Sequence, residues 1–465
     1  MNLETILIFS QWFFLAFFVV LNLVYLSLNT ISLLVVSRYG QWKEMHELPH
    51  LLLESKLPIS ILAPAFNEEK TIVSSVHSLL QLNYLNYELI VINDGSSDQT
   101  LEILKKSFDL LEVPEFHDSP LKTKKIRGAY RSKTHPNFRV IDKENGGKAD
   151  SLNAGLNYCR TPLYCCIDAD SMLARNSLQR VVEPFLQDET TIATGGTIRI
   201  VNGCTTKQGN LLKANLPKNP LALFQIVEYL RAFLFGRMGW SALNGMLIIS
   251  GAFGAFKKDI VLEVGGYRHN TVGEDMELVV RLHRHMRLNR RPYQITFVPD
   301  PVCWTEAPED LKTLRNQRIR WQRGLSESLT PHLKLLFNPK GGVISWLAYP
   351  FMLFFEFLEP LILVGGTLLT LICFYFGLIS MEALIVFFVT VVGTGILLST
   401  NALLLEELSF HIYPRLRYPL YLYCMAILEN FGYRQLNSYW RFLGLFRWAF
   451  GKKGNWGKME RIGRS

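Results

Sequence analysis

Three absences narrow what this chain of 465 residues can be. Its seven cysteines form no CxxC pair and no Cys/His cluster with zinc spacing, so neither a disulfide framework nor a zinc site is favoured. Cys165 and Cys166 lie in an apolar run and read as small buried hydrophobes, in keeping with a reducing cytoplasm. There is no internal repeat and no low-complexity tract. From Ile6 to Val36 the chain lacks Asp, Glu, Lys and Arg. At about 1.5 Å per residue that run exceeds a bilayer core of about 30 Å, so one tilted membrane helix is expected. Met1 to Thr5 carries no Lys or Arg and the run is too long for a signal-peptide core, so no cleaved leader is expected.

The chain is 49% hydrophobic, and the apolar content is concentrated at both ends. Its length suits a large domain plus several membrane spans. Lys and Arg number 49 against 40 Asp and Glu, a net charge of +9. The excess lies beside apolar segments, which points to lipid headgroups rather than nucleic acid. Arg441, Arg447, Lys452, Lys453, Lys458, Arg461 and Arg464, with Glu460 the lone acid, read as a cytoplasmic basic tail over 441–465. Arg38 and Lys43 follow the first span, placing the N-terminus outside and the next domain inside. Further apolar segments fall at about 344–378, 382–404 and 417–433. The first holds Glu356, Glu359 and Pro360, and such acids should face protein or a polar path rather than lipid. A cytoplasmic domain and tail require an even number of crossings between them: two spans plus an interfacial segment, or four if 344–378 is a re-entrant pair.

Between these ends the pattern alternates. Leu57–Pro64, Tyr87–Asn93, Phe138–Asp142, Leu163–Asp168 and Thr191–Val201 read as strands, and Glu68–Leu82 as a helix with Asn67 as its N-cap. Alternation predicts an α/β fold with a mostly parallel sheet covered on both faces, and ligands in such sheets bind at the carboxyl ends of the strands. Residues 113–135, with Pro114, Pro120 and six Lys or Arg, read as a mobile surface loop. Leu311–Leu336 mixes basic and apolar residues and reads as an interfacial amphipathic helix. The expected domains are thus 1–40, 57–310, 311–340, 341–440 and the tail.

Four short motifs follow in order: Ile92-Asn93-Asp94-Gly95-Ser96, Asp168-Ala169-Asp170, Gly273-Glu274-Asp275 and Gln317-Arg318-Ile319-Arg320-Trp321. Asp94 and Asp168-Ala169-Asp170 both fall at strand ends. An i, i+2 carboxylate pair there can aim at one cation and a diphosphate, as Mg²⁺ sites do. Glu274 and Asp275 head a helix, where acids also simply favour the positive dipole end. Gln317 and Arg320 share a helix face and suit a diphosphate clamp. Trp321 offers an aromatic platform. Asn145-Gly146-Gly147-Lys148 precedes a helix but lacks P-loop spacing.

In this order the motifs resemble processive family 2 glycosyltransferases, the group of cellulose, chitin, hyaluronan and poly-N-acetylglucosamine synthases, closely over roughly residues 57–330. The resemblance implies a GT-A-type domain. It implies a donor seat of Ala63, Pro64, Ala65, Glu68, Asp94 and Lys148, with Asp168 on the donor and Asp170 as main ligand of Mg²⁺ or Mn²⁺. It makes Asp275 the general base, and Ser250, Gly251, Glu274 and Trp321 the acceptor site, with Trp240 and Asn244 as weaker candidates. The implied partners are a UDP-sugar, UDP-N-acetylglucosamine favoured, a growing polysaccharide, membrane lipid and accessory export subunits. The expected enzyme inverts the anomeric centre and extends an exopolysaccharide. The rivals are single addition to a lipid or polyprenyl phosphate, and a non-catalytic membrane scaffold. Cellulose synthases carry a C-terminal cyclic-dinucleotide domain, and no such regulation is expected here. The run Cys303-Trp304-Thr305-Glu306 is nearer the poly-N-acetylglucosamine group.

Overall fold

The computed structural model describes residues 3–45, 57–114, 119–169, 171–207, 209–413, 415 and 417–451. Asp170 and the basic residues from Lys452 onward lie outside them.

The strands are β1 (Ile59–Ala65), β2 (Tyr87–Asp94), β3 (Leu110–Glu112), β4 (Ile126–Ser132), β5 (Phe138–Lys143), β6 (Leu163–Ile167), β7 (Met172–Leu173) and β8 (Thr191–Ile200). They continue with β9 (Thr205–Lys207), β10 (Asn210–Lys213), β11 (Phe253–Lys257) and β12 (Gln294–Thr305). Ten form one sheet in the order β3-β4-β5-β2-β1-β6-β11-β8-β12-β7. The run β5-β2-β1-β6 is parallel throughout. Its strands are buried along nearly their whole length, which is what helices on both faces of a parallel sheet require. β11 then inserts antiparallel between β6 and β8. Because β2, β1 and β6 are neighbours and point the same way, Asp94, Ala65 and Asp168 emerge along one edge.

Two expectations need correction. Asn67 is not a helix cap: the helix Ile72–Leu80 starts after Thr71. Asn67 instead adopts φ +56°, and its Oδ1 accepts the Ser97 amide at 2.8 Å, tying this loop to the turn after β2. The segment 113–135 is not wholly a loop, since β4 pairs antiparallel with both β3 and β5. The physical reason is its place near the sheet edge, where one side is solvated: Arg127 and Arg131 are exposed while Ala129 and Ser132 are buried, and charge at an edge discourages intermolecular pairing.

The helix Leu311–Leu329 begins at Asp310, whose carboxylate accepts the Thr313 amide. Pro331 lacks a donor, and the chain continues as the 3₁₀ turn Thr330–Leu335. This helix packs closely on Tyr433–Ala449: a β-carbon on Gly444 would lie 2.8 Å from the Ile319 carbonyl. Among the described residues, two helices are long and apolar enough to cross a membrane, Trp12–Arg38 and Met381–Ser409. A bent pair, Ile344–Phe357 and Glu359–Tyr375, meets at 44° and would make a third if taken as one span. Arg417–Leu428 has 12 residues, about 18 Å of helix, short of a crossing.

Candidate active site

At the carboxyl edge of the parallel strands a cavity of about 2260 Å³ opens. Pro64, Ala65, Glu68, Asp94, Lys148 and Asp168 line its sheet end. Ser250, Gly251, Glu274, Asp275, Gln317, Arg320 and Trp321 line the facing wall. Thus nearly all the residues singled out by sequence meet in one space. Ala63 is the exception: it is buried within β1, 2% exposed, and does not reach the cavity. Asn244 does not line it either, because its amide bridges the Tyr293 carbonyl and the Ile295 amide. Trp240 does line it.

Two lysines organise the sheet end. Lys143, fully buried, meets Asp94 Oδ1 at 2.5 Å, Asp150 Oδ1 at 2.6 Å and the Glu144 carbonyl at 2.7 Å. Asp94 also accepts the amides of Gly146 at 2.9 Å and Gly147 at 2.8 Å, and the side-chain amide of Asn145 at 3.2 Å. Its carboxylate therefore anchors the Asn145–Gly147 turn, the turn-building role such an Asp often has. Gly147 takes φ +87° to let the chain enter the helix Lys148–Tyr158.

That anchored turn presents Lys148 to the cavity. Its Nζ donates to Asp168 Oδ1 at 2.5 Å and to the Gly251 carbonyl at 3.0 Å, with Glu274 Oε1 at 3.9 Å. Burial works against its charge, yet Asp168, Glu274 and Asp275 together hold it well above the ordinary lysine range. Asp168 stays partly open, its side chain 37% exposed.

Opposite, Gly273–Asp275 opens the helix Glu274–Leu288. Asp275 Oδ2 accepts the Gly251 amide at 2.7 Å and Oδ1 the Met276 amide at 2.8 Å. A β-carbon at Gly251 would sit 2.9 Å from Lys148 Nζ and 3.1 Å from Asp275 Oδ2, so a side chain there would press on both. Glu274 is pushed up to about 7, chiefly by burial, with Lys148 opposing and the neighbouring Asp275 adding to the rise.

On the third side, Gln317 Oε1 is buried without a hydrogen-bond partner among the described residues. The Arg318 guanidinium lies 4.3 Å from the centre of the Trp321 ring, itself held by Glu228 at 2.8 Å and the Tyr433 hydroxyl at 3.3 Å. Sequence singled out Trp321 but not this bracing, which arises from residues distant in the chain.

The cavity continues among the apolar helices. There Glu359 and Glu356 face protein, as expected for acids in such a segment: Arg441 meets Glu359 at 2.6 Å and Glu356 at 3.3 Å. Arg441 also donates to Gln322 at 2.9 Å, linking this lining to the helix of Trp321.

Residues 60–261 match the profile of glycosyl transferase family 2, and residues 165–400 that of glycosyl transferase family group 2. The second match takes in half of the sequence, and the chain belongs to glycosyl transferase family group 2. Over 288 residues it is 29% identical to the poly-beta-1,6-N-acetyl-D-glucosamine synthase of Staphylococcus aureus, a match spanning 61% of this chain and 58% of that protein. The synthase of the same name from Staphylococcus epidermidis is 29% identical over 272 residues, or 58% and 55%. The chain thus spans little more than half the length of these relatives. Among solved structures, a mannosyltransferase of Pyrobaculum calidifontis in complex with GDP-Man and Mn²⁺ superposes with a TM-score of 0.49 at 17% identity, covering 90% of this chain and 99% of that one. Residues 1–349 of TarS of S. aureus, in complex with UDP-GlcNAc, give 0.40 at 12%, covering 85% and 92%.

Proposed function

We propose that this chain is an inverting glycosyltransferase that extends a polysaccharide from a UDP-sugar, with UDP-N-acetylglucosamine as favoured donor. The observation that carries the reading is the single cavity joining Lys148, Asp168 and Asp275 to the Glu356–Glu359–Arg441 lining among apolar helices. A transferase releasing a free product needs only the first part. A polymerase also needs room and polar groups for the chain already made. The names of the staphylococcal relatives supply the sugar.

In this reading the donor lies along the carboxyl ends of β1, β2 and β6, its diphosphate between Asp168 and Arg320. Asp94 contributes by fixing the turn that aims Lys148. The donor set suits Mg²⁺ or Mn²⁺: a partly open carboxylate at a strand end, with Asp170 two residues on, leaves the remaining positions to phosphate oxygens. When bound, the ion would neutralise charge developing on the leaving diphosphate. Asp275, its Oδ2 oriented by the Gly251 amide, takes the proton from the acceptor hydroxyl. One base acting in a direct displacement inverts the anomeric carbon, and such help is worth roughly 10²–10⁴-fold. Gln317 has an unsatisfied oxygen for a sugar hydroxyl, and the braced Trp321 ring carries the acceptor sugar.

In this reading 1–40 and 341–440 lie in the membrane, and the domain of 57–310, the helix of 311–340 and the tail lie on the cytoplasmic side of a cell membrane. Lipid and accessory export subunits are the partners this placement calls for. Product length tests the reading: protein in lipid nanodiscs, supplied with UDP-N-acetylglucosamine and Mn²⁺, should give a ladder of long β-linked chains. A product bearing one added sugar on a lipid phosphate would replace polymerisation with single addition, and no product with any UDP-sugar would favour the scaffold.

A further inference from the structure

The cavity wall facing the first membrane helix holds a cation that no sequence motif explains. The helix Pro220–Leu230 passes into a π-helical turn, Arg231–Arg237, before Met238–Ala242. π turns are rare and gather at functional sites. This one places Arg237 in the cavity lining, its guanidinium 3.8 Å from the centre of the Phe233 ring. The next turn is locked in place, because a β-carbon on Gly239 would lie 2.8 Å from the Leu28 carbonyl of the first helix. Trp240 lines the same wall. Among the described residues, Arg237 has neither an ion-pair partner nor a hydrogen-bond acceptor. Every other cation discussed at this site has at least one partner.

A guanidinium carries five N–H donors and no acceptor, and leaving them unmet in a recessed site is costly. Burial pushes Arg237 down to about 10, and Asp275 is the charge that most opposes this. Asp275 is thus within electrostatic reach of Arg237 as well as of Lys148.

The geometry points to Arg237 as a binding residue for the acceptor, donating hydrogen bonds to hydroxyl or acyl oxygens of the penultimate sugars while Trp321 carries the terminal one. This rests on the transferase reading above. A neutral polyol fits better than a phosphate, because Asp275, Glu274 and Glu228 line the same space and would repel a dianion. The aromatic neighbours Phe233 and Trp240 suit the apolar faces of sugar rings.

The test uses full-length protein in nanodiscs with two variants, Arg237→Gln and Arg237→Lys. A short N-acetylglucosamine oligosaccharide is titrated and followed by tryptophan fluorescence, and UDP binding with Mn²⁺ is measured in parallel by calorimetry. Arg237→Gln should weaken the oligosaccharide roughly ten- to a hundredfold, the range of a charge-assisted hydrogen bond, and leave UDP unchanged. Arg237→Lys should recover part of the loss, which separates binding from a folding defect. Unchanged oligosaccharide affinity, equal weakening of UDP, or no oligosaccharide binding by the unsubstituted protein would overturn the assignment. So would Arg237-dependent binding of a short-chain prenyl phosphate in place of the oligosaccharide, which would make this the seat of a lipid phosphate. Absence of UDP release with every donor would sink the transferase reading by itself, while the titration would still decide the subsite.

Discussion

Lys143 and Lys148 stand five positions apart, both among carboxylates, yet their surroundings divide structure from chemistry. Lys143 is sealed, and Asp94, Asp150 and a carbonyl fill its three donor directions. Lys148 faces open space, sharing Asp168 with the cavity and standing 3.9 Å from Glu274. The first cluster is closed and builds the turn. The second opens onto the cavity. The same residue types thus serve opposite ends, and saturation of hydrogen bonds, rather than residue identity, tells them apart.

Perturbing the open cluster should change turnover without unfolding the protein. The largest effect is expected from Asp275→Asn, which removes the base but keeps an acceptor oxygen for the Gly251 amide. Transfer should fall about 10²–10⁴-fold while UDP binding, measured by calorimetry, persists. Normal turnover in this variant would take the base assignment from Asp275. Perturbing the closed cluster should do the reverse. Lys143→Met leaves Asp94 and Asp150 buried without their shared cation, a change that costs about 3–5 kcal/mol, so the thermal transition should drop sharply. An unchanged transition would mean that the closed network is not what holds the turn.

Smaller changes sharpen the contrast. Gly251→Ala inserts a β-carbon 2.9 Å from Lys148 Nζ and 3.1 Å from Asp275 Oδ2. Misplacing reacting groups in this way should slow transfer by about ten- to a hundredfold with little loss of thermal stability. Wild-type rates in that variant would show that the two groups need not be held together. Glu274 gives the mildest signature. Its folded value lies above the unfolded one, so between about pH 4.5 and about 7 the unfolded state loses its proton first and folding is progressively disfavoured. Glu274→Gln removes that penalty. Its thermal transition should match that of the parent near pH 4.5, rise above it as pH approaches 7, and keep a constant lead beyond. A lead independent of pH would show that Glu274 does not carry a raised value.

The strands that build the site were legible because burial on both faces makes them continuous apolar runs. β1, β2, β5, β6 and β8 fall within a residue or two of where those runs predict them. The site residues converged for the same reason, as Asp94 and Asp168 lie at the ends of β2 and β6, the two parallel strands that flank β1. β4 escaped notice because its charged, half-solvated sequence has no such run. The saturation of Asp94 could not be read, since Lys143 and Asp94 are 49 positions apart and meet only through the pairing of β2 with β5. Arg237 left one trace, a single cation within the apolar aromatic stretch Phe233–Trp240. Sequence alone gives that no direction, because the π turn decides which way it points. The acids of the apolar segment 344–378 were the reverse case: Glu356 and Glu359 had to meet polar partners, and these are Tyr25 and Arg441, the latter drawn from the expected basic tail into the helix Tyr433–Ala449.

The central claim is that the open cluster transfers sugar from a nucleotide donor. Release of UDP by purified protein in nanodiscs, across a panel of UDP-sugars with Mn²⁺ and with Asp275→Asn in parallel, tests it most directly. Release is expected with one donor, UDP-N-acetylglucosamine, and is abolished in the variant. Release that is equal in the variant, or silence across the whole panel, would contradict it.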